Sequence, residues 1–252
     1  MLHFGKQILC CALALSVCLL FGACGAEEDT PATDMPSTTD TVATEPTEEP
    51  TQPTLPPVTP ETFFNESAFI GDSVTLKLRN YNAETSALYN TTFLCQGSYS
   101  VAHAVNDTMF ISYQGSDMTP QDALKACGAK RVFILLGMND IALWGIDTTM
   151  ENWAKLVSNI RSVCPDMEIY IESGTPIYLS GEIGSLNNQN MDKYNVRLQE
   201  FAKQNGCQYI DVNTPFKDAN GGLAEAYCSD AYVHFTDTAC KLWVDILMKQ
   251  VG

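Results

Sequence analysis

Three side chains with the chemistry of acyl transfer stand at separate points of this chain, two of them just after apolar runs. Ser73 closes Gly71-Asp72-Ser73, after Ala68-Phe69-Ile70 and before the helix-compatible Val74-Thr75-Leu76-Lys77-Leu78. Asn139 lies in Gly137-Met138-Asn139-Asp140, after the run Arg131 to Leu136, and His234 lies in Tyr232-Val233-His234-Phe235-Thr236. A hydroxyl nucleophile, an amide donor for an oxyanion and an imidazole base are the parts that acyl transfer requires. A serine hydroxyl titrates far above neutral pH and needs a neighbouring base, a task histidine performs near pH 7. Beyond residue 24 the chain holds two histidines, His103 and His234. His103 sits in Val101-Ala102-His103-Ala104-Val105, a helical or buried stretch that suits a packing residue, which leaves His234 as base. Plainer roles exist for each: Ser73 suits a helix cap, Asn139-Asp140 a capping turn, and Asp72 a turn or a hydrogen-bonding brace.

These blocks, in this order and spread over roughly residues 64 to 250, resemble the SGNH (GDSL-type) hydrolase family. The resemblance implies Ser73 as nucleophile, His234 as base, and an oxyanion hole formed by the Ser73 N–H, the Asn139 amide and a glycine N–H, for which Gly97 is the candidate. The family usually places the orienting aspartate three residues before the histidine, where this chain has Ala231. Asp230 is one residue further back and is the candidate for that role if a bulge restores the geometry; Asp237 or a backbone carbonyl would be the substitutes.

Short β-branched or aromatic runs alternate with helical patterns, the mark of βα units around a parallel sheet. Strands are predicted at Ala68 to Gly71, Thr91 to Cys95, Arg131 to Gly137, Glu168 to Ser173 and Cys207 to Val212. Helices are predicted at Ser73 to Tyr81, Pro120 to Cys127, Thr148 to Val163, Asn188 to Asn205 and Asp237 to Val251. The fold expected is a three-layer α/β/α sandwich with a central parallel sheet of about five strands, flavodoxin-like as in SGNH hydrolases. Such sheets bind ligands at the C-terminal ends of their strands, where Ser73 and Asn139 fall. Trp144 and the stretch Gly174 to Gly184 also come after strand ends, suiting either a pocket wall or a cover for the sheet.

Residues 1–24 read as an export signal: Lys6, an apolar stretch from Ile8 to Leu20, then Phe21-Gly22-Ala23-Cys24. The apolar core is shorter than the ~20 residues of a membrane span, and its C-terminal flank is acidic rather than basic. The last four residues resemble a bacterial lipobox, which implies lipidation at Cys24; Phe21 replaces the usual leucine. Residues 25–62 carry nine acidic side chains, no Lys or Arg, and eight of twelve prolines, so they should form a disordered tether. A coil of that length reaches roughly 35 Å.

Residues 63–252 then make one domain with 21 acidic and 13 basic side chains. No basic patch or arm appears, which argues against a nucleic-acid partner and favours neutral substrates or carbohydrates. No spaced His/carboxylate set or phosphate-binding loop appears, and no metal or cofactor is expected. The six cysteines of the domain include no Cys-x-x-Cys; Cys228 and Cys240 would bracket the His234 loop as a disulfide, or the cysteines would be buried thiols. The expected protein is an exported, membrane-tethered serine esterase acting on short acyl esters, with acylated glycans as the candidate substrates. An O-acyltransferase with the same residues and a non-catalytic glycan-binding lipoprotein are the alternatives. Oligomeric state leaves no trace in the sequence.

Overall fold

The computed structural model describes residues 57–251. The residues expected to form an export signal (1–24, with Cys24) and the expected tether up to residue 56 lie outside the described residues. The first helix, α1 (Pro60–Asn65), begins inside the segment expected as tether. Thr59 caps it by accepting the Thr62 N–H, and Pro60 fills the first turn, where no N–H is needed. Phe63 and Phe64 are buried and tie this helix to the domain, so composition alone misplaced the boundary by a few residues.

Five parallel strands form the central sheet: β1 (Ser67–Gly71), β2 (Thr92–Cys95), β5 (Arg131–Leu135), β6 (Glu168–Glu172) and β7 (Gln208–Ile210), in the spatial order β2-β1-β5-β6-β7. Between β2 and β5 lie the short helix α3 (Val101–Asn106), a hairpin of β3 (Ile111–Tyr113) and β4 (Ser116–Met118), and α4 (Pro120–Cys127). The other helices are α2 (Ser73–Thr85), α5 (Met138–Val163), α6 (Asn188–Gln204) and α7 (Asp237–Met248). Every β1 and β5 residue is buried, as a parallel sheet covered on both faces demands.

Alternation along the strands divides the core into two layers. Ala68, Ile70, Val132, Ile134, Ile169 and Ile171 pack with residues of α3, α4, α5 and α6. Phe69, Phe133, Leu135 and Tyr170 pack with residues of α1, α2 and α7 on the other face. A three-layer α/β/α sandwich results. The chain leaves β1 for β2 on one side and returns to β5 on the other. The C-terminal ends of β1 and β5 therefore form the switch point at which such sheets open a ligand crevice.

Several expected ends shift. Helix α5 starts at Met138 rather than Thr148 and breaks at Gly145, where φ is 74°. The predicted strand Arg131 to Gly137 ends at Leu135, and β7 is shorter than expected. All six cysteines of the domain are free thiols, so Cys228 and Cys240 are not joined. Cys240 is buried in α7, whereas the Cys228 thiol points to Asp230 Oδ1 at 3.7 Å.

Candidate active site

Gly71 ends β1, and a Cβ there would fall 1.9 Å from Thr75 Oγ1, so only glycine allows the strand to turn straight into α2. Asp72, not Ser73, caps the helix: its Oδ1 accepts the Val74 N–H at 2.9 Å. That frees the Ser73 hydroxyl, which donates to His234 Nε2 at 3.0 Å. As the first residue of α2, Ser73 also presents a backbone N–H with no partner among the described residues, at the positive end of the helix dipole.

His234 arrives on the loop before α7. Phe235 is fully buried against Phe216 and Trp243 (centroids 4.6 and 5.7 Å apart) and anchors the loop. The His234 Nδ1–H donates to Asp230 Oδ2 at 2.5 Å. The other Asp230 oxygen accepts the N–H groups of Tyr232, Val233 and His234 at 2.9, 3.1 and 3.2 Å. Partial burial opposes ionisation, but the His234 ring and these N–H bonds together hold the Asp230 carboxyl below its ordinary range. Asp237, the substitute for Asp230, instead pairs with Lys77 at 2.5 Å. Ser73, Leu76, Lys77, Asn80, His234 and Asp237 are among the residues lining a cavity of about 460 Å³.

Asn139 comes two residues after Gly137, whose φ of 114° and lack of a Cβ admit the Tyr194 hydroxyl, 2.1 Å from where a Cβ would stand. The Asn139 amide donates to Asp72 Oδ2 at 3.1 Å and to the Tyr99 carbonyl at 3.0 Å. Both its hydrogens are thus engaged, and an oxyanion must share or displace one of these bonds. Asp72 is buried, and desolvation pushes its carboxyl up to about 6. Next in the chain, the buried Asp140 carboxylate accepts the Val101 and Ala102 N–H groups at 2.9 and 2.8 Å, capping α3. These bonds tie the start of α3, which follows the loop carrying Gly97, to the first turn of α5. The Gly97 N–H has no partner among the described residues. The Gln96 N–H donates to the Gly71 carbonyl at 3.1 Å, two residues before Ser73.

Residues 69–242 match the family described as GDSL-like lipase/acylhydrolase. The chain belongs to that family. This GDSL-like acylhydrolase is accordingly a carboxylic-ester hydrolase. No curated protein matches its sequence. Among solved structures it is similar to a GDSL-like lipase from Bacteroides thetaiotaomicron, with 15% identity, TM-score 0.57, and coverage of 73% of this chain and 86% of that one. A family 3 carbohydrate esterase from Talaromyces cellulolyticus shows 9% identity, TM-score 0.53, and coverage of 73% and 95%. The C-terminal catalytic domain of peptidoglycan O-acetyltransferase A from Streptococcus pneumoniae shows 18% identity, TM-score 0.52, and coverage of 73% and 90%. At these identities the likeness is one of fold.

The structure of this GDSL-like acylhydrolase brings Ser73, His234 and Asp230 into contact and ties Asn139 to Asp72. It puts Trp144 elsewhere, beside His103 in a second cavity, so Trp144 is not a wall of the Ser73 cavity. Gly174 is bound on both sides by the Asn195 side chain, part of a braced loop. Sequence reasoning missed a relay beneath the Asn139 turn: the Trp153 indole N–H donates to the Tyr194 hydroxyl at 2.7 Å, which donates to the Leu136 carbonyl at 2.8 Å. No short-range pattern signals that relay, because its members lie on α5, on α6 and in the loop after β5. Among the described residues no His, Cys, Asp or Glu cluster could hold a metal ion. None of the helices described is long and apolar enough to cross a membrane.

Proposed function

We propose that this acylhydrolase is an exported, membrane-tethered serine esterase that removes short acyl groups, acetyl above all, from carbohydrates. The observation that carries the mechanism is the continuous contact from Ser73 Oγ through His234 to Asp230. His234 Nε2 takes the Ser73 proton as Oγ attacks the ester carbonyl, and Asp230 stabilises the imidazolium that forms. The Ser73 and Gly97 N–H groups and the Asn139 amide receive the oxyanion. The imidazolium returns its proton to the departing sugar oxygen, leaving an acyl-serine. Water, deprotonated by His234, then attacks that ester and frees the acid and Ser73.

Lys77, Asn80 and the Lys77–Asp237 pair give the cavity a polar rim that suits a hydroxylated leaving group better than a long chain. Export and anchoring are supported by the signal-like residues 1–24 and by Cys24 in Phe21-Gly22-Ala23-Cys24. Transfer to a sugar hydroxyl in place of water uses the same steps, and the likeness in fold to the peptidoglycan O-acetyltransferase A domain keeps that reading open.

The test measures p-nitrophenyl acetate hydrolysis by the chain from Gly25 to Gly252 and by its Ser73→Ala and His234→Ala variants, each checked by circular dichroism. Both folded variants are expected to lose nearly all activity; unchanged turnover in Ser73→Ala would overturn the mechanism. Radiolabelled palmitate incorporation in wild type and Cys24→Ala cells tests the anchor.

A further inference from the structure

A second cavity, of about 430 Å³, opens between α3 and α5, lined in part by His103, Asn106, Trp144, Thr148, Asn152 and Lys155. None of its lining residues lines the Ser73 cavity. Thr148, Asn152 and Lys155 recur at helical spacing on α5, and Trp144 stands just before its Gly145 break.

Trp144 is the solvent-facing member of the three tryptophans, 43% exposed, whereas Trp153 and Trp243 are fully buried. Its indole meets the His103 ring edge to face, with centroids 6.3 Å apart, and Tyr99 stacks on the same imidazole. His103 Nδ1 is buried and has no hydrogen-bond partner among the described residues. Lys155 Nζ reaches only Asn152 Oδ1, at 3.4 Å, and no carboxylate among the described residues. A flat aromatic surface is therefore edged by an imidazole, amides, a hydroxyl and an unpaired ammonium.

That arrangement matches the two-sided chemistry of a sugar ring, whose C–H face is apolar and whose edge is a belt of hydroxyls. An acyl chain would fill the same space but offer the Asn152 amide, the Lys155 ammonium and the His103 imidazole no hydrogen-bond partner. A phosphate would find a single ammonium and no bidentate guanidinium.

We propose that this cavity binds one pyranose unit of a glycan, its C–H face on Trp144 and its hydroxyls on Asn152, Lys155 and His103. The site holds the carbohydrate apart from the reacting ester, which adds affinity by linking two binding events on one chain. The choice of a glycan as ligand rests on the esterase reading; the binding itself needs no turnover.

The experiment uses Ser73→Ala in the chain from Gly25 to Gly252, with unacylated trimers of N-acetylglucosamine, xylose and glucose as probes. Acrylamide quenching of tryptophan fluorescence reports on Trp144, because the other two indoles are buried. At least one trimer is expected to shield Trp144 with half-saturation at about 1 mM or below. Adding Lys155→Met, an exposed position, should weaken that shielding at least about threefold. In an otherwise wild-type chain, Lys155→Met should leave p-nitrophenyl acetate hydrolysis unchanged. No shielding by any trimer, or equal shielding in Lys155→Met, would overturn the site while leaving the hydrolytic mechanism standing.

Discussion

Asp230 reaches the His234 ring from four residues upstream because the chain between them passes through Ala231 in the left-handed region, at φ 56°. The extra residue relative to the family spacing is absorbed there, and Asp230 Oδ1 gathers the N–H groups of Tyr232, Val233 and His234.

If Asp230 orients the imidazole, Asp230→Asn should lower kcat roughly a thousandfold to ten-thousandfold by favouring the wrong tautomer, with KM changed little. Asp237→Asn removes only an exposed pair with Lys77, so it should change stability by about 1 kcal/mol or less. Steady-state kinetics on both variants checks this; equal losses would reassign the orienting role.

A non-glycine residue in the left-handed region is strained by about 1–2 kcal/mol, partly offset by the larger unfolded-state entropy of glycine. Ala231→Gly should therefore raise the unfolding free energy by roughly 0.5–1 kcal/mol while retaining activity. Urea denaturation measures it, and a destabilised variant would show that Ala231 carries no strain.

Glu172, buried at the end of β6, accepts the Trp243 indole N–H on Oε1 at 2.7 Å and leaves Oε2 without a partner among the described residues. Desolvation raises its carboxyl from 4.5 to about 8. The native protein therefore keeps a proton that the unfolded chain gives up above 4.5, so this group's stabilising contribution is complete below that value and is lost as pH rises towards 8. In this window the slope approaches 1.4 kcal/mol per pH unit, about the cost of one pKa unit. Glu172→Gln should flatten the fall, which chemical denaturation at about pH 5, 6, 7 and 8 would reveal; parallel pH profiles would contradict it.

Tyr194 positions the Asn139 turn through the Leu136 carbonyl. Tyr194→Phe leaves that carbonyl and the Trp153 N–H unpaired, at about 1–3 kcal/mol. It should lower kcat about tenfold, with little change in KM, if the oxyanion contact forms chiefly in the transition state. Trp153→Phe spares the bond to Leu136 and should keep most activity, and the double variant should lose less stability than the sum of the singles. A stability loss with kcat intact would reduce Tyr194 to a packing role.

Much of the fold was legible because its determinants are local. Fully apolar runs specify parallel strands buried on both faces, and Thr119-Pro120 begins α4 as its capping chemistry predicts. The same local reading failed where tertiary packing overrides propensity. The seven residues from Met138 to Trp144 form a helix joined to the next across Gly145, and Pro60 starts a helix because Phe63 and Phe64 find a core to enter.

By itself the sequence determined which residue types are available for chemistry: a serine after a strand, two histidines beyond residue 24 and an asparagine after another strand. It also set the order of the βα units, since hydrophobic period and turn residues act over a few positions. Only the tertiary structure decided which groups meet. Ser73 and His234 lie 161 residues apart, and nothing local encodes a 3.0 Å contact over that distance. Packing likewise decided that Asp230 rather than Asp237 faces the imidazole, that Asn139 bonds Asp72, and that Trp144 meets His103 in a cavity other than the one Ser73 lines. Each depends on where whole helices dock on the sheet, which is fixed by the combined burial of both its faces.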